Sequence, residues 1–514
     1  MSRLTIHYSG TVSTLEIRPG ETVLAALQRA GIPVFAPCGG RGHCRKCVVQ
    51  LREEGGAARE VLACQTVLRG GCEVEVPVHT GGAIAREGCT PEQGTWLCRP
   101  GLGAAVDLGT TTVVVQLFSL EEGGERLGTA ADWNVQAAYG GDVISRVQYV
   151  MTHEDGLEEL STAVRRQIFG MAEELCTRSG RSLSELKEVS LAGNTIMQHI
   201  FAGIDPSSIA VAPYQPSTLF LEEKTWSFPE CPGAEVSFSP CVAGYVGGDI
   251  TAGLLSAGLL RRQGVSLFLD IGTNGEMALC DSGSFSCCSV ASGPAFEGGE
   301  ISCGMPSNPG AVSHVKWADG DLRLEVIGGG RPAGLCGSGL IDLLALLLEQ
   351  GGVDETGRLL SPEEAPEELL PFLTEDEDGN GLFHVAPGVA FTAGDVRKLQ
   401  LAKAAVAAGI EILLNEAGKP AREVEKLYLA GGFGGNLSAR SAAVIGMFPP
   451  ELEEKIVCVG NSSLSGAGLL LQDPGRREEV LEIRRRCRYL ELSGSREFSD
   501  AFVDHMSFES AEEE

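Results

Sequence analysis

The sequence predicts a multidomain α/β protein in which a small β-rich module with one helix precedes two similar α/β halves. The chain has 514 residues, more than one ordinary domain contains. Alternating apolar segments and four closely spaced cysteines fall within residues 1–80. Two later segments repeat one pattern: an apolar strand, an Asp, a Gly-Thr turn and a second apolar strand.

The N-terminal module is predicted from short alternating segments, which are typical of strands with one buried face. A helical spacing of apolar residues begins at Glu21 and stops at Gly31. Strands are expected at 3–8, 13–17, 48–51 and 73–78. The segment after them is rich in Gly and Pro and lacks periodicity, which indicates a linker.

Beyond the linker, strands alternate with longer helical segments, as in α/β domains. Helices are predicted at 142–152, 157–179 and 394–417, and a third glycine-rich strand end at 426–437. We therefore predict a module at 1–80, a linker at 81–103, a first half at 104–262, a second half at 263–475 and a C-terminal segment with an acidic tail at 476–514.

The charge balance restricts the partners. The formal net charge is −29, from 40 basic and 69 acidic residues. Nucleic acid and anionic membrane surfaces are therefore not expected as partners, because binding either requires a basic face. The N-terminus has no apolar leader segment, and no apolar run is long enough to span a membrane. Seventeen cysteines in such a chain indicate a reducing, cytoplasmic location.

Cys38, Cys44, Cys47 and Cys64 follow the spacing C-x5-C-x2-C-x16-C. Four thiolates bind zinc or an iron–sulfur cluster, and zinc sites more often pair two C-x2-C knuckles. The spacing is close to the plant-type [2Fe–2S] pattern, with one extra residue in the first gap. Zinc and unrelated free thiols remain the alternatives. The module resembles the β-grasp ferredoxins, which implies that these four cysteines hold a [2Fe–2S] cluster.

The two repeated turns read AVDLGTTTVVV at 105–115 and FLDIGTNGEMA at 268–278. Backbone N–H groups and hydroxyls in such turns can bind phosphate oxygens, and an Asp at the strand end can hold Mg²⁺. Turns of this kind also simply join strands. The third glycine-rich strand end, LAGGFGGN at 429–436, would let a nucleoside approach the backbone closely.

Together these three segments resemble the actin, Hsp70 and sugar kinase superfamily. The resemblance implies two ribonuclease-H-like halves that bind ATP between them. It implies phosphate contacts from Gly109, Thr110, Thr111, Gly272, Thr273 and Asn274, Mg²⁺ coordination by Asp107 and Asp270, and an adenosine site at Gly431, Gly432, Phe433 and Gly434. Glu276 would orient a water or hold the metal, with an exposed strand Glu as the alternative.

A ferredoxin module followed by this ATPase fold resembles the reductive activators of corrinoid-dependent methyltransferases and corrinoid proteins, over nearly the whole chain. Further stretches similar to that family are NVQAAYGGDVISR, LAGNTIMQHIFAGIDPSSIAVAPY, GYVGGDITAG and SGPAFEGGEI. The resemblance implies ATP-dependent one-electron reduction of inactive Co(II) to Co(I) in a corrinoid protein. It also implies an upstream low-potential electron donor. The oligomeric state stays open, with a homodimer as one candidate.

Three other functions stay open at this stage. The protein could be an iron–sulfur electron carrier with a nucleotide domain that does not hydrolyse ATP. It could activate another low-potential enzyme, such as a radical dehydratase, although those activators hold a [4Fe–4S] cluster between two subunits. A small-molecule kinase would leave the ferredoxin module unexplained.

Overall fold

The computed structural model describes residues 3–8, 10–32, 34, 36, 40, 42, 47–53, 55–77, 96–121, 124–222, 224–377, 379–434 and 436–508. The described residues divide into two compact units. The first comprises those up to 77 together with 96–248 and 470–474, and the second comprises 249–469 and 475–508. No helix among the described residues is both long enough and apolar enough to cross a membrane.

The N-terminal module is a five-stranded mixed sheet crossed by one helix. It consists of β1 (Arg3–Tyr8), β2 (Thr11–Glu16), α1 (Val23–Arg29), β3 (Val48–Glu53), β4 (Arg59–Leu62) and β5 (Cys72–Glu75). The strand order is β2-β1-β5-β3-β4, with β1 and β5 parallel. Leu4, Ile6 and Val74 are buried, alternate with half-buried or exposed positions, and pack in one core with Leu27 of α1. The four predicted strands and the helix are present, and β4 is an additional strand.

The first half of the larger region is built around a six-stranded sheet with the order β10-β11-β9-β6-β7-β8. Its central strands are buried on both faces and rich in apolar residues, as expected where helices cover both sides of a sheet. The elements are β6 (Leu102–Leu108), β7 (Thr112–Ser119), β8 (Arg126–Trp133), α2 (Val143–Thr152), α3 (Gly156–Arg178), β9 (Leu186–Gly193), α4 (Thr195–Ala202), β10 (Trp226–Phe228) and β11 (Cys231–Phe238).

The second half contains another six-stranded sheet, with the order β22-β21-β12-β13-β14-β23. Its main elements are α5 (Gly248–Ser256), β12 (Val265–Ile271), β13 (Gly275–Asp281), β14 (Ser284–Val290), α6 (Gly337–Glu349), α7 (Ala393–Ala417), β21 (Val424–Ala430), α8 (Gly431–Gly434), α9 (Ala439–Val444), β22 (Ile456–Gly460), α10 (Ser462–Gln472), α11 (Arg477–Arg486), β23 (Cys487–Tyr489) and α12 (Arg496–Asp504).

Two small three-stranded sheets are inserted in this half. They comprise β15 (Ala311–Ala318), β16 (Asp321–Val326) and β17 (Gly334–Leu335), and β18 (Leu373–Glu375), β19 (Gly381–Ala386) and β20 (Val389–Thr392).

The two halves share one topology, as the repeated turn pattern predicted. In each, three antiparallel strands (β6-β7-β8 and β12-β13-β14) are continued beyond the first strand by two parallel strands, β9 and β11 or β21 and β22. This is the ribonuclease-H-like arrangement, and the predicted fold class is confirmed.

The C-terminal segment contributes to the second half. β23 pairs in parallel with β14, and α12 packs against α7. Lys403 of α7 is fully buried, donates a hydrogen bond to the Ser507 carbonyl at 2.7 Å, and lies 4.8 Å from the Phe508 ring centroid. Residues after 475 therefore complete a sheet and a helix layer. The predicted domain boundaries themselves stay a prediction.

Helices α5 and α10 approach each other with no room for a side chain between them. A Cβ atom built on Gly466 of α10 would lie 2.1 Å from the Ala252 carbonyl oxygen of α5. Gly468 of the same helix has nothing within 4 Å of such an atom. Gly466 is therefore required by packing, whereas Gly468 is not.

We expect Gly466→Ala to destabilise the protein by about 1–3 kcal/mol, because the added methyl group must push the two helix backbones apart. Gly468→Ala is the matched control. It should stabilise by up to about 1 kcal/mol, since Ala favours the helix more than Gly does. Thermal unfolding of both variants measures the difference, and equal effects from the two substitutions would contradict the packing argument.

Candidate functional site

Two of the four predicted cluster ligands lie side by side in the N-terminal module. Cys47 directly precedes β3, and Cys64 lies in the turn after β4. Antiparallel pairing of Val48 with Leu62 brings these positions together. The two Sγ atoms are 3.3 Å apart, and both residues are buried. Cys38 and Cys44 lie outside the described residues.

Glycines next to this pair leave space that side chains would fill. Gly40 and Gly42 have φ values of +81° and +83°, a region that favours glycine. A Cβ on Gly40 would lie 3.7 Å from the Cβ of Cys64, and one on Gly42 would lie 2.5 Å from Nε2 of Gln65. Because they lack side chains, Gly40 and Gly42 lie close to Cys64 and Gln65, respectively.

The first predicted phosphate loop connects β6 to β7. Asp107 is half-buried near the end of β6, and Gly109, Thr110 and Thr111 form the turn. The Gly109 amide donates to the Thr112 carbonyl at 3.0 Å, which closes the turn. The predicted residues are therefore adjacent on one tight turn.

Side chains from three other segments hold this turn. Asn134 Nδ2 donates to the Gly109 carbonyl at 2.8 Å, and Asn194 Nδ2 donates to Thr110 Oγ1 at 3.0 Å. The guanidinium of Arg146 donates to the Thr110 carbonyl at 2.6 Å. Burial lowers the pKa of Arg146 to about 9, so that it is still protonated at neutral pH. The turn is fixed through its carbonyls and one hydroxyl.

The second predicted phosphate loop connects β12 to β13 in the same way. The Gly272 amide donates to the Asn274 carbonyl at 2.9 Å, and Ser292 Oγ donates to the Gly272 carbonyl at 3.3 Å. The Thr273 hydroxyl donates to Oε2 of Glu297 at 2.9 Å. Burial raises the pKa of Glu297. A carboxyl group therefore contacts this turn, whereas a guanidinium contacts the first turn.

Glu276, opposite Asp270 in the β12–β13 ladder, lies in an acidic environment. Burial raises the pKa of Glu276 well above its usual value, and the nearby charges of Asp249 and Asp270 raise it further. A hydrogen bond from the Asn274 side chain acts in the opposite direction. Asp249 of α5 and Asp270 of β12 are thus close enough to Glu276 of β13 to act on it electrostatically.

The predicted adenosine segment is helical where a strand end and a loop were expected. β21 stops at Ala430, and Gly431–Gly434 forms the short helix α8. Gly431 has a φ of +87°, and a Cβ there would lie 2.8 Å from Oδ1 of Asp270. Gly432 is exposed. The side chain of Phe433 and the surroundings of Gly434 lie outside the described part of the chain.

The sequence interpretation missed five residues of these two sites. All five lie in stretches that were identified only by their similarity to a family: Asn134, Arg146, Asn194, Asp249 and Glu297. A second internal repeat could have identified Asn194, because LAGN at 191–194 ends β9 just as LAGG at 429–432 ends the equivalent strand β21.

Glu276→Gln tests the acidic environment in the absence of nucleotide and divalent cations. The pKa of Glu276 is raised on folding, so the folded protein keeps a proton that the unfolded chain releases. Relative to the Gln variant, the free energy of unfolding of the wild type therefore falls as the pH rises above 4.5, the usual pKa of Glu. We expect the melting temperatures of wild type and variant to agree at pH 4. At pH 8 the variant should be more stable, by about 1 kcal/mol or more.

Glu325→Gln is the control for this measurement. Glu325 is an exposed carboxylate whose pKa is lowered by a hydrogen bond from Lys316 and by the charge of that lysine. Its substitution should not stabilise the protein at pH 8. A Glu276→Gln variant that is less stable than the wild type at pH 8 would show that Glu276 is not buried among like charges.

Comparison with known families assigns the three parts of the chain. Residues 6–69 match a 2Fe-2S iron-sulfur cluster binding domain. Residues 102–262 match a family described as the RACo middle region, and residues 264–514 match one described as the C-terminal domain of RACo, the ASKHA domain. The chain therefore carries a ferredoxin domain and an ASKHA domain.

Similar proteins span nearly the whole chain. The corrinoid activation enzyme RamQ of Eubacterium limosum is 26% identical over 93% of this chain and 94% of its own length. A reductase of the methylated amine-specific corrinoid protein in the Co(II) state, from Methanosarcina barkeri, is 26% identical over 79% of this chain and 77% of its own. A solved reductive activator for a corrinoid, iron-sulfur protein is 31% identical, with a TM-score of 0.72, over 100% of this chain and 99% of that one. The chain belongs to the family of reductive activators of corrinoid proteins.

Proposed function

We propose that this protein reduces the inactive Co(II) state of a corrinoid protein to Co(I), with one electron from an N-terminal [2Fe–2S] cluster. ATP would shift the equilibrium of this electron transfer towards Co(I). One observation carries the proposal. A ferredoxin domain and an ASKHA domain are joined in one chain that aligns from end to end with a reductive activator of known structure.

The described thiols fit an iron–sulfur cluster. A separation of 3.3 Å between Cys47 Sγ and Cys64 Sγ is too long for a disulfide, whose sulfurs are about 2.05 Å apart. Two thiolates bound to one tetrahedral metal with bonds of about 2.3 Å would be about 3.8 Å apart, so a small movement accommodates the metal. We propose that Cys38, Cys44, Cys47 and Cys64 hold the cluster, which supplies a single electron.

The nucleotide would be held by the two strand-turn-strand loops. We propose phosphate contacts from Gly109, Thr110 and Thr111 in one loop and from Gly272, Thr273 and Asn274 in the other. Asp107 and Asp270 would orient Mg²⁺, and Glu276 would orient a water or bind the metal. Gly431, Gly432, Phe433 and Gly434 would line the adenosine. The tight turns and their fixed carbonyls support these roles.

A nucleotide is needed because the electron transfer is uphill. A plant-type [2Fe–2S] centre has a potential near about −400 mV, and the Co(II)/Co(I) couple is expected below it. At about 59 mV per decade, a gap of about 100–200 mV disfavours transfer by two to three decades or so. A nucleotide shifts this balance only if it binds one conformation of the activator complex more tightly than the other.

The proposed partners are a corrinoid protein of a methyltransferase system and a low-potential donor that reloads the cluster. The net charge of −29 supports protein partners and gives no support to nucleic acid. We propose a cytoplasmic location, and a homodimer stays one candidate assembly.

Cys64→Ser tests the cluster ligands, with Cys72→Ser as the matched control. Both cysteines are buried in the N-terminal module, but Cys72 lies on β5 and is not a predicted ligand. We expect Cys64→Ser to lose bound iron or to shift the visible absorption of the protein, because a hydroxyl is a harder ligand than a thiolate. Cys72→Ser should keep both. Identical iron content and spectra in all three proteins would rule out Cys64 as a ligand.

The activity is tested without oxygen, with reduced protein and a candidate corrinoid protein in the cob(II)alamin state. We expect the Co(II) absorption band to fall and a Co(I) band to rise only when Mg-ATP is present. Without nucleotide no Co(I) band should form, because the uphill gap holds the equilibrium on the Co(II) side by about two to three decades.

The Cys64→Ser variant serves as the control for electron transfer in this assay. It should show no Co(I) band with or without Mg-ATP. Cobalt reduction that is equally fast without nucleotide would indicate a simple electron carrier instead. A reducible cluster that never reduces any corrinoid protein would favour an activator of another low-potential enzyme.

A further inference from the structure

We propose that Arg146 is a positioning residue that orients the first phosphate loop, and that the negative charge of the nucleotide phosphates balances its buried positive charge. This inference rests on the proposed function, because it assumes that the loop from Gly109 to Thr111 faces a nucleotide. It adds a residue of the binding machinery that does not itself touch the ligand.

Arg146 lies in the first turns of α2 and is fully buried. Its Nε donates to the Gly140 carbonyl at 3.0 Å, and one terminal nitrogen donates to the Thr110 carbonyl at 2.6 Å. The other terminal nitrogen lies 3.3 Å from Oε1 of Gln136 and 3.0 Å from the Met197 sulfur. This side chain of α2 therefore ties the phosphate loop to two other segments of the first half, 136–140 and α4.

These contacts fix the direction of the loop amides. In a planar trans peptide the C=O and the following N–H point in opposite directions. The Thr110 carbonyl points at Arg146, so the Thr111 N–H points away from it. In the same way, the bond from Asn134 to the Gly109 carbonyl turns the Thr110 N–H away from Asn134. Two successive N–H groups are thereby oriented away from the buried side of the loop, as anion binding requires.

The charge of Arg146 is satisfied only by neutral acceptors. None of the ion pairs among the described residues includes Arg146, and its four bonded acceptors are two carbonyls, an amide oxygen and a thioether. Asp142 acts on it electrostatically, but both oxygens of Asp142 already accept bonds from Ser145. A buried cation without a bonded anion is costly. A triphosphate on the far side of the Thr110 peptide would supply the opposite charge.

The test measures equilibrium binding of Mg-ATP and of AMP to wild type, Arg146→Met and Arg146→Lys. We expect Arg146→Met to weaken Mg-ATP binding by about tenfold to hundredfold, the usual effect of losing a hydrogen-bonded charge. AMP, with one phosphate, should lose less than about threefold, since fewer phosphate charges depend on Arg146. Arg146→Lys keeps the charge and should recover at least half of the loss on a logarithmic scale.

Arg165→Met is the matched control. Arg165 is a mostly buried arginine of the same unit, and its contacts are Ser161, Glu230 and Phe228. Its substitution should lower the melting temperature without changing Mg-ATP binding. This separates the loss of a buried arginine from the loss of the loop contact. Should Arg146→Met not fold, Arg146→Gln replaces it as the neutral variant in the same comparison.

The outcomes distinguish this inference from the proposed function. A wild type that does not bind Mg-ATP would overturn both. A wild type that binds Mg-ATP beside an Arg146→Met variant of equal affinity would overturn only the role of Arg146. Equal losses for Mg-ATP and AMP would show a purely structural residue, and an Arg146→Lys variant as weak as Arg146→Met would refute the contribution of charge.

Discussion

Parallel pairing of β6 with β9, and of β12 with β21, is the constraint on which each of the two candidate phosphate loops depends. The pairing sets Asp107 beside Ala192 and Asp270 beside Ala430. The residues that follow β9 and β21 must then lie against the two turns, because the carboxyl ends of parallel strands meet at one sheet edge. Asn194, directly after β9, donates a hydrogen bond to Thr110. Gly431, directly after β21, has no side chain and leaves room for the carboxylate of Asp270.

The two turns have the same backbone motif, but a basic side chain bonds the turn in the first half and an acidic side chain bonds the turn in the second. Buried Arg146 donates a hydrogen bond to the Thr110 carbonyl, whereas half-buried Glu297 accepts one from the Thr273 hydroxyl. Asp249 and Asp270 add negative charge near the second turn, where they help to raise the pKa of Glu276. Phosphate oxygens are best stabilised by the first arrangement and a divalent cation by the second. The repeated turns are therefore held by different side chains in the two halves.

In the N-terminal module, backbone pairing brings two of the four predicted cluster ligands together. The β3–β4 ladder performs this for Cys47 and Cys64, and the Ala63 amide donates to the Cys47 carbonyl at 2.8 Å. α1 is joined to the same turn, where the Leu24 amide donates to the Ala63 carbonyl at 2.9 Å. Backbone hydrogen bonds therefore position two of the four predicted ligands, so a bound metal would have to order less of the chain.

The sequence by itself determined the strand-turn-strand repeats, the ferredoxin pattern and the order of the domains. These depend on local periodicity and on residues close together in the chain, such as Asp107 to Thr111 and Asp270 to Asn274. It did not determine that Gly431–Gly434 is helical, nor that Arg146, Asn194 and Glu297 support the loops. Those contacts join residues from 24 to 84 positions apart. Strand pairing and the packing of helices against the sheets bring such residues together, so only the tertiary structure decided which side chains orient the turns.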